Sequence, residues 1–323
     1  MKKRIGHTVA SACFALAAVP LAAHAAWPSD APIEVVVGFA PGGTTDVMAR
    51  SLAPFIARHL GDNASLVIVN RPGASGEIAV SQIMRAKPDG YTVGIVNLPG
   101  YFFLPMYRKT SYTTKDLSLV ARVVSDPTVM VTRKDSKLKD LPQVVKDLKA
   151  SPSGYSAGHN GIGTNGHLAM ARLQSAAGVQ LNNIPYNGSA QQKTALAGSQ
   201  LDIAFLAASE VPDPDNEATP ARLLAQFTRN KVQRLSGVPT TYELGWPVEM
   251  TAERGFAAPN GVPPAILSRL QNAIEAALRD PDYIKAARND APFLSFLGGA
   301  EWTRQIEQDR KAYEDIAKNL PKE

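Results

Sequence analysis

Short apolar runs alternate with longer segments of helical periodicity along this chain. The run Ile33 to Gly38 (IEVVVG) is apolar except for Glu34, which is typical of a strand buried on both faces. The segment 45–60 has helical spacing and ends at Gly61. The same criteria predict further strands at 66–70, 91–96, 155–157, 183–185, 201–206 and 223–228, and further helices at 76–86, 141–150, 165–177, 190–197, 264–279, 283–288 and 301–319.

The segment 117–132 contains two strand-like runs, LSLVARVV and TVMVT, around Asp126-Pro127. Both runs are typical of strands. Strands and helices alternate over most of the chain, and this alternation predicts an α/β fold with parallel sheets.

Two predicted strands run directly into glycine-rich loops that open helices. The first loop is 38–46 (GFAPGGTTD) and the second is 158–167 (GHNGIGTNGH). Open α/β sheets bind ligands outside the carboxyl ends of their strands, and a helix N-terminus attracts anions. One interpretation is that Thr44 and Thr164 are ordinary N-caps and the glycines are turn residues. Because the loops form a matched pair, they favour a cleft that holds an anionic group at each end.

Other chemistries fit the loops poorly. The chain has no G-x-x-x-x-G-K-[ST] motif, and the spacing of Gly161, Gly163 and Gly166 lacks the acidic residue of a dinucleotide site. Ser156 lies in a G-x-S-x-G motif, but no histidine follows His167, so the triad order of an α/β-hydrolase cannot be met. His159 and His167 lack a third metal ligand nearby.

The first 25 residues explain the basic composition of the chain. The 323 residues carry a net charge of +5 and one cysteine. A basic start, an apolar run from Thr8 to Ala23 and the small residues of Ala23-His24-Ala25 predict a signal peptide cleaved after Ala25. Without its Lys2, Lys3 and Arg4, the 34 basic residues fall to 31 against 29 acidic ones. The mature chain then has no cysteine, and its small charge excess does not indicate a nucleic-acid partner.

Ordered blocks along the mature chain carry a family resemblance. They are 35–46 (VVVGFAPGGTTD), 69–76 (VNRPGASG), 87–92 (KPDGYT), 163–168 (GTNGHL), 184–189 (IPYNGS), 196–202 (LAGSQLD), 237–240 (GVPT) and 258–263 (APNGVP). Together they resemble the Bug-type periplasmic receptors of tripartite tricarboxylate transporters. The resemblance covers essentially the whole mature chain.

This resemblance implies a two-lobed, type II-like Venus-flytrap fold of periplasmic binding proteins, with parallel-rich sheets and hinge-crossing strands. Lobe 1 would comprise 26–124 and 255–323, and lobe 2 would comprise 125–254. The protein would be a monomeric, non-enzymatic receptor in the periplasm that captures a small di- or tricarboxylate and delivers it to a membrane permease. No cofactor or metal is expected.

The resemblance also implies the site residues. The first half-site would consist of Phe39, Ala40, Gly42, Gly43, Thr44 and Asp46. The second would consist of Gly163, Thr164, Asn165 and His167, with Tyr186 and Ser189 lining the cleft. For Asp46 the alternative is structural, because an acid in the first helical turn stabilises the helix dipole.

Two departures from the family pattern leave the identity of the ligand undetermined. Leu206-Ala207-Ala208-Ser209 stands where the family often has an acid–Asn pair, and Glu253-Arg254-Gly255-Phe256 replaces a common Trp-Phe-Gly. Arg254 would clamp a carboxylate, as in members that take tricarboxylates, or form an ion pair in a hinge strand, for example with Glu253. Aliphatic and aromatic acids both remain candidates. The alternative functions are a ligand sensor without transport and a secreted serine hydrolase using Ser156.

Overall fold

The computed structural model describes residues 27–212, 216 and 219–320. The predicted signal peptide and its cleavage site lie outside these residues. Among the described residues, no helix is both long and apolar enough to span a membrane.

The first half of the chain forms a parallel α/β unit. Its elements are β1 (Ile33–Val37), α1 (Thr44–Leu60), β2 (Leu66–Asn70), α2 (Glu77–Arg85), β3 (Thr92–Leu98) and α3 (Gly100–Tyr107). Strand β1 pairs in parallel with both β2 and β3. Val35, Val36 and Val37 are fully buried, so the apolar run is covered on both faces as its pattern predicts.

A single long strand, β4 (Leu117–Arg133), leads out of this unit. The two strand-like runs on either side of Asp126-Pro127 are thus parts of one continuous strand. Strand β4 pairs with one set of strands up to Pro127 and with another from Thr128 onward. Because the proline stands where the partners change, its missing N–H removes little from either ladder.

The middle of the chain repeats the parallel α/β arrangement. It contains α4 (Leu141–Ala150), β5 (Ser156–His159), α5 (Asn165–Ala177), β6 (Asn182–Pro185), α6 (Ser189–Ala197), β7 (Ile203–Ala207) and β8 (Ala221–Gln226). Strand β5 is parallel to β6 and β7, whereas β7 and β8 are antiparallel to β4.

The last part of the chain returns to the first unit. It contains β9 (Thr251–Pro259), α7 (Pro264–Arg279), α8 (Pro281–Ala286), β10 (Leu294–Gly298) and α9 (Gly299–Asn319). Strand β9 is inserted antiparallel between β3 and β4, which gives the order β2-β1-β3-β9-β4-β7-β5-β6. Strands β4 and β9 therefore connect two α/β halves, and the predicted alternation of strands and helices is confirmed.

Side-chain packing also joins the halves. Trp302 at the start of α9 is buried in a cluster with Val36 and Val96 of the first unit. Ala317 near the end of the same helix belongs to a cluster with Leu168 and Phe205 of the second unit. Helix α9 thus lies along both halves.

Candidate functional site

Three helix N-termini meet at the carboxyl ends of the strands, between the two halves. Helix α1 begins after Gly43, α5 after Thr164 and α6 after Gly188, and none of these N-cap residues makes a side-chain capping hydrogen bond. Uncapped first-turn N–H groups and the helix dipoles give such a position a positive potential. The arrangement suits the binding of anionic groups.

A narrow cleft, with a cavity volume of about 60 Å³ and partly open to solvent, lies between these helix ends. It is lined from both halves by Phe39, Ala40, Pro41, Gly43, Thr44, Thr45, Asn97, Asn160, Asn165, Asn187, Gly188, Ser189, Ala190, Ala207, Glu210, Ala252 and Arg254. Across it, Thr44 Oγ1 donates a 2.8 Å hydrogen bond to Glu210 Oε1, which joins α1 to the segment after β7.

Asp46 stabilises the conformation of the first loop. Its carboxylate accepts hydrogen bonds from Gly42 N, Arg50 Nε and Asn70 Nδ2, at 2.8 to 2.9 Å. Burial opposes ionisation of Asp46, but the hydrogen bonds from Arg50, Gly42 and Asn70 outweigh it and hold the pKa of the carboxyl below its usual value. Asn70 also donates to Phe39 O. These contacts occupy both Asp46 oxygens and fix the loop.

Two buried histidines support the second loop. Gly163 N donates to His167 Nδ1 at 3.1 Å, and the rings of His159 and His167 lie 4.7 Å apart. Burial lowers the pKa of His159 to about 4 and that of His167 to about 3, so both rings are neutral near pH 7. A neutral His167 keeps the acceptor that Gly163 requires.

The residues predicted from the sequence fall into two groups. Those that line the cleft are Phe39, Ala40, Gly43, Thr44, Asn165, Ser189 and Arg254. Those that lie outside its lining are Gly42, Asp46, Gly163, Thr164, His167 and Tyr186. Thr164 Oγ1, for example, donates to Gly161 O within its own loop.

Sequence reasoning missed several lining residues, including Asn97, Asn160, Asn187 and Glu210. Asn97 near the carboxyl end of β3 could have been found by applying the strand-end rule to every strand. Glu210 follows β7 closely, but the segment 206–209 departs from the family pattern, so no family motif marks it.

Arg254 on β9 forms a buried ion-pair cluster. Its Nη2 donates to Asp126 Oδ2 at 2.8 Å, to Asp290 Oδ1 at 2.9 Å and to Ser209 Oγ at 3.3 Å. The predicted alternative partner Glu253 points elsewhere and bonds Arg122 and Trp302. The ion pair in the crossing strand therefore exists, but its partners are Asp126 and Asp290.

Burial raises the pKa of the Asp126 carboxyl to about 7. Arg254 and Ser209 oppose this rise, whereas the nearby charges of Asp290 and Glu210 add to it. Several acids thus compete for one guanidinium.

Some polar atoms of the cleft have no protein partner. Arg254 Nε and Nη1, Asn97 Oδ1 and Asn160 Oδ1 are buried without a hydrogen bond to any described residue. An unsatisfied buried donor or acceptor typically costs about 1–3 kcal/mol. All three residues line the cleft, so these donors and acceptors are placed where a polar solute could pair with them.

Ser156 stands at the opposite end of β5 from the cleft. Its Oγ donates to Asp202 Oδ2 at 2.7 Å and accepts from Asp202 N. It starts the strand, whereas a nucleophile elbow places its serine after the strand.

Two α/β halves that are joined by crossing strands and enclose a polar cleft define a solute-binding protein. A family model described as "Tripartite tricarboxylate transporter family receptor" matches residues 48–317, and the chain belongs to this family. The family consists of periplasmic solute-binding receptors and not of enzymes. The predicted two-lobed α/β fold and receptor class are confirmed.

Individual relatives agree with this assignment. The protein BugT of Bordetella pertussis is 32% identical over 270 residues, which cover 79% of this chain and 78% of BugT. The solved periplasmic binding protein BugD is similar with a TM-score of 0.80 at 27% identity, over 89% of this chain and 96% of BugD. The protein Rpa4515 of R. palustris, solved with adipate, gives a TM-score of 0.82 at 28% identity, over 90% of this chain and 97% of its own.

Proposed function

We propose that the protein is a periplasmic receptor that captures a small organic carboxylate in this cleft and delivers it to a membrane permease. The observation that carries the proposal is the convergence of three uncapped helix N-termini on the buried, unpartnered donors of Arg254. The family assignment and the adipate bound by a relative at 28% identity support the same ligand class.

The two ends of the ligand would contact different halves. One carboxylate would lie at the N-terminus of α1, against the main chain of Gly43 and Thr44. The other end would lie near Asn165 and Ser189, at the N-termini of α5 and α6. Because each half then contacts the same molecule, binding favours the closed arrangement of the halves.

The proposed lobes are 26–124 with 255–323, and 125–254. Their boundaries fall inside β4 and β9, the strands that cross between the halves. Small dihedral changes in these two strands would open and close the cleft as a hinge. The Thr44–Glu210 hydrogen bond bridges the cleft, so it would form in the closed arrangement and break on opening.

A thermal-shift screen of the mature chain, residues 26–323, tests the ligand class. The panel comprises aliphatic di- and tricarboxylates, aromatic carboxylates, neutral sugars and divalent metals. A ligand at 100 times its dissociation constant raises stability by about 2.7 kcal/mol. We expect a rise in melting temperature with at least one carboxylate. A response confined to sugars or metals would refute the proposed ligand class.

A further inference from the structure

Acids outnumber bases around Arg254, which lines the cleft. Asp126, Asp290 and Glu210 lie around Arg254, and the charges of all three act on its guanidinium. Asp126 and Asp290 share the Nη2 atom of Arg254. Glu210 lines the cleft itself, and among the described residues no cationic side chain lies within 4.0 Å of its carboxylate.

Glu210 is held by neutral groups, one on each oxygen. Its Oε1 accepts from Thr44 Oγ1 and its Oε2 accepts from Ala207 N, at 2.8 and 2.9 Å. The nearby ammonium of Lys193 is directed to the main-chain carbonyl of Glu210, at 3.4 Å, and not to its carboxylate. An ionised carboxylate offers about four lone-pair sites, so Glu210 retains acceptor capacity towards the cleft.

The fixed charges around the cleft leave little excess positive charge to balance a multiply charged anion. Each helix N-terminus is equivalent to about half a positive charge. The three helix ends and Arg254 together roughly offset the three carboxylates. A ligand with two or three uncompensated negative charges would therefore meet repulsion from Glu210 in a partly desolvated site.

We propose that Glu210 is a specificity-determining residue that selects carboxylates bearing an ammonium group over unsubstituted acids of the same length. The ammonium would donate to a free lone pair of Glu210 and cancel its charge, while the carboxylates contact the helix N-termini and Arg254. A hydroxyl in the same position donates without cancelling charge, so hydroxy acids rank between the two. This inference rests on the proposed function, since it assumes that the cleft binds carboxylates.

Matched acids that differ only at one carbon test the selection. Isothermal titration of the mature chain is carried out with succinate, malate and aspartate, and with glutarate and glutamate. We expect the amino acid of each series to bind at least tenfold more tightly than the unsubstituted acid, with malate between succinate and aspartate. An unsubstituted acid that binds as tightly as its amino counterpart in both series overturns the proposal.

The variant Glu210→Gln removes the charge and keeps the contacts. Its amide oxygen can accept from Ala207 N, and its amide nitrogen can donate to Thr44 Oγ1. We expect the amino-to-unsubstituted affinity ratio to fall at least tenfold in this variant. Glu34→Gln, an exposed acid on β1, is the control for net charge and keeps the wild-type ratio.

The outcomes separate the two proposals. An unchanged ratio in Glu210→Gln, with acids still binding, overturns the role of Glu210 and leaves the carboxylate receptor intact. Absence of binding by every acid to the wild-type chain, together with no carboxylate response in the thermal screen, overturns the proposed function itself.

Discussion

Arg254 uses different nitrogens of one guanidinium for two purposes. Nη2 holds Asp126 and Asp290, which lie on β4 and just before β10, while Nε and Nη1 have no partner among the described residues. The sequence alone left a structural ion pair and a ligand clamp as alternatives. The structure contains the ion pair and leaves the other two donors free for a ligand.

Replacing Arg254 by alanine should destabilise the fold strongly. Arg254→Ala leaves two buried carboxylates without their cation, and breaking a buried pair in this way typically costs about 3–5 kcal/mol. Arg279→Ala is the matched control, because Arg279 pairs with Glu275 on the surface of α7, and such exposed pairs contribute about 0–1 kcal/mol. Urea denaturation gives both free energies of unfolding. Equal losses in the two variants would contradict the structural role of the cluster.

The two buried histidines should make the fold sensitive to acid. The pKa values of His159 and His167 lie near 4 and 3 in the folded chain, below the ordinary value of 6.5. Below pH 6.5 the unfolded chain therefore binds protons that the folded chain does not bind. Stability contributed by neutral His167 is therefore lost as pH falls from 6.5 towards 3. The raised pKa of Asp126 has the opposite effect, because the stability that it contributes increases as pH falls from 7 towards 4. The contribution of the histidine is therefore measured by comparison with a variant.

His167→Asn isolates the histidine contribution. The asparagine oxygen replaces Nδ1 as the acceptor for Gly163 N but does not titrate. Between pH 7.5 and 5, the free energy of unfolding of the wild type should fall relative to that of the variant by about 2 kcal/mol. Urea denaturation at several pH values measures this difference. Parallel pH profiles would show that His167 titrates normally in the folded chain.

Residue-level prediction succeeded where a local pattern carried the information. The glycine-rich loop before α1 placed Phe39, Gly43 and Thr44 in the cleft lining, because loop and helix start are adjacent in sequence. Asp126 and Asp290 reach Arg254 from distant segments, and no local pattern links them. Their partnership depends on the tertiary pairing of β4 with β9.

At the scale of elements, periodic helices were predicted best. The bounds of α4, α5 and α7 match the sequence prediction because amphipathic spacing, caps and breakers agree there. Helix α3 was missed since its sequence GYFFLPMY is apolar on all sides and contains Pro105. Strand β9 was missed as an element because its polar Glu253 and Arg254 interrupt the apolar pattern, and their side-chain partners lie far away in the sequence.

The packing of β9 against its neighbours predicts a strict requirement for glycine at 255. A Cβ atom at Gly255 would lie 2.3 Å from Ala121 O and 2.6 Å from the ring of Trp302. Gly255→Ala should therefore lower the free energy of unfolding by about 1–3 kcal/mol through overpacking. Gly100→Ala is the control, because the nearest atom to its Cβ would be 3.7 Å away. Chemical denaturation that finds both substitutions equally tolerated would contradict the close packing of β9, β4 and α9.

At the scale of the whole molecule, the crossing strands and α9 connect the two halves. Strands β4 and β9 pair over most of their length, and α9 contributes Trp302 to one core and Ala317 to the other. In the proposed closure, these connections would restrict the halves to a hinge motion about the paired strands. The cleft lies on this hinge, since Arg254 and Ala252 of β9 form part of its lining.

The central claim is that a carboxylate binds between the helix N-termini. Isothermal titration of the mature chain and of its Asn165→Asp variant tests this claim most directly. The ligands are aliphatic dicarboxylates, their amino derivatives and diols of matched length. Asn165 lines the cleft at the start of α5, where an aspartate suits the helix dipole but repels a bound carboxylate. We expect at least one acid to bind the wild type with a stoichiometry near one, no diol to bind, and Asn165→Asp to weaken the acid at least tenfold. The aspartate also loses the hydrogen bond that Asn165 Nδ2 donates to Thr128 Oγ1, so urea denaturation confirms that the variant is folded before it is titrated. Diols that bind as well as the acids, or an acid that binds the variant with unchanged affinity, would contradict the claim.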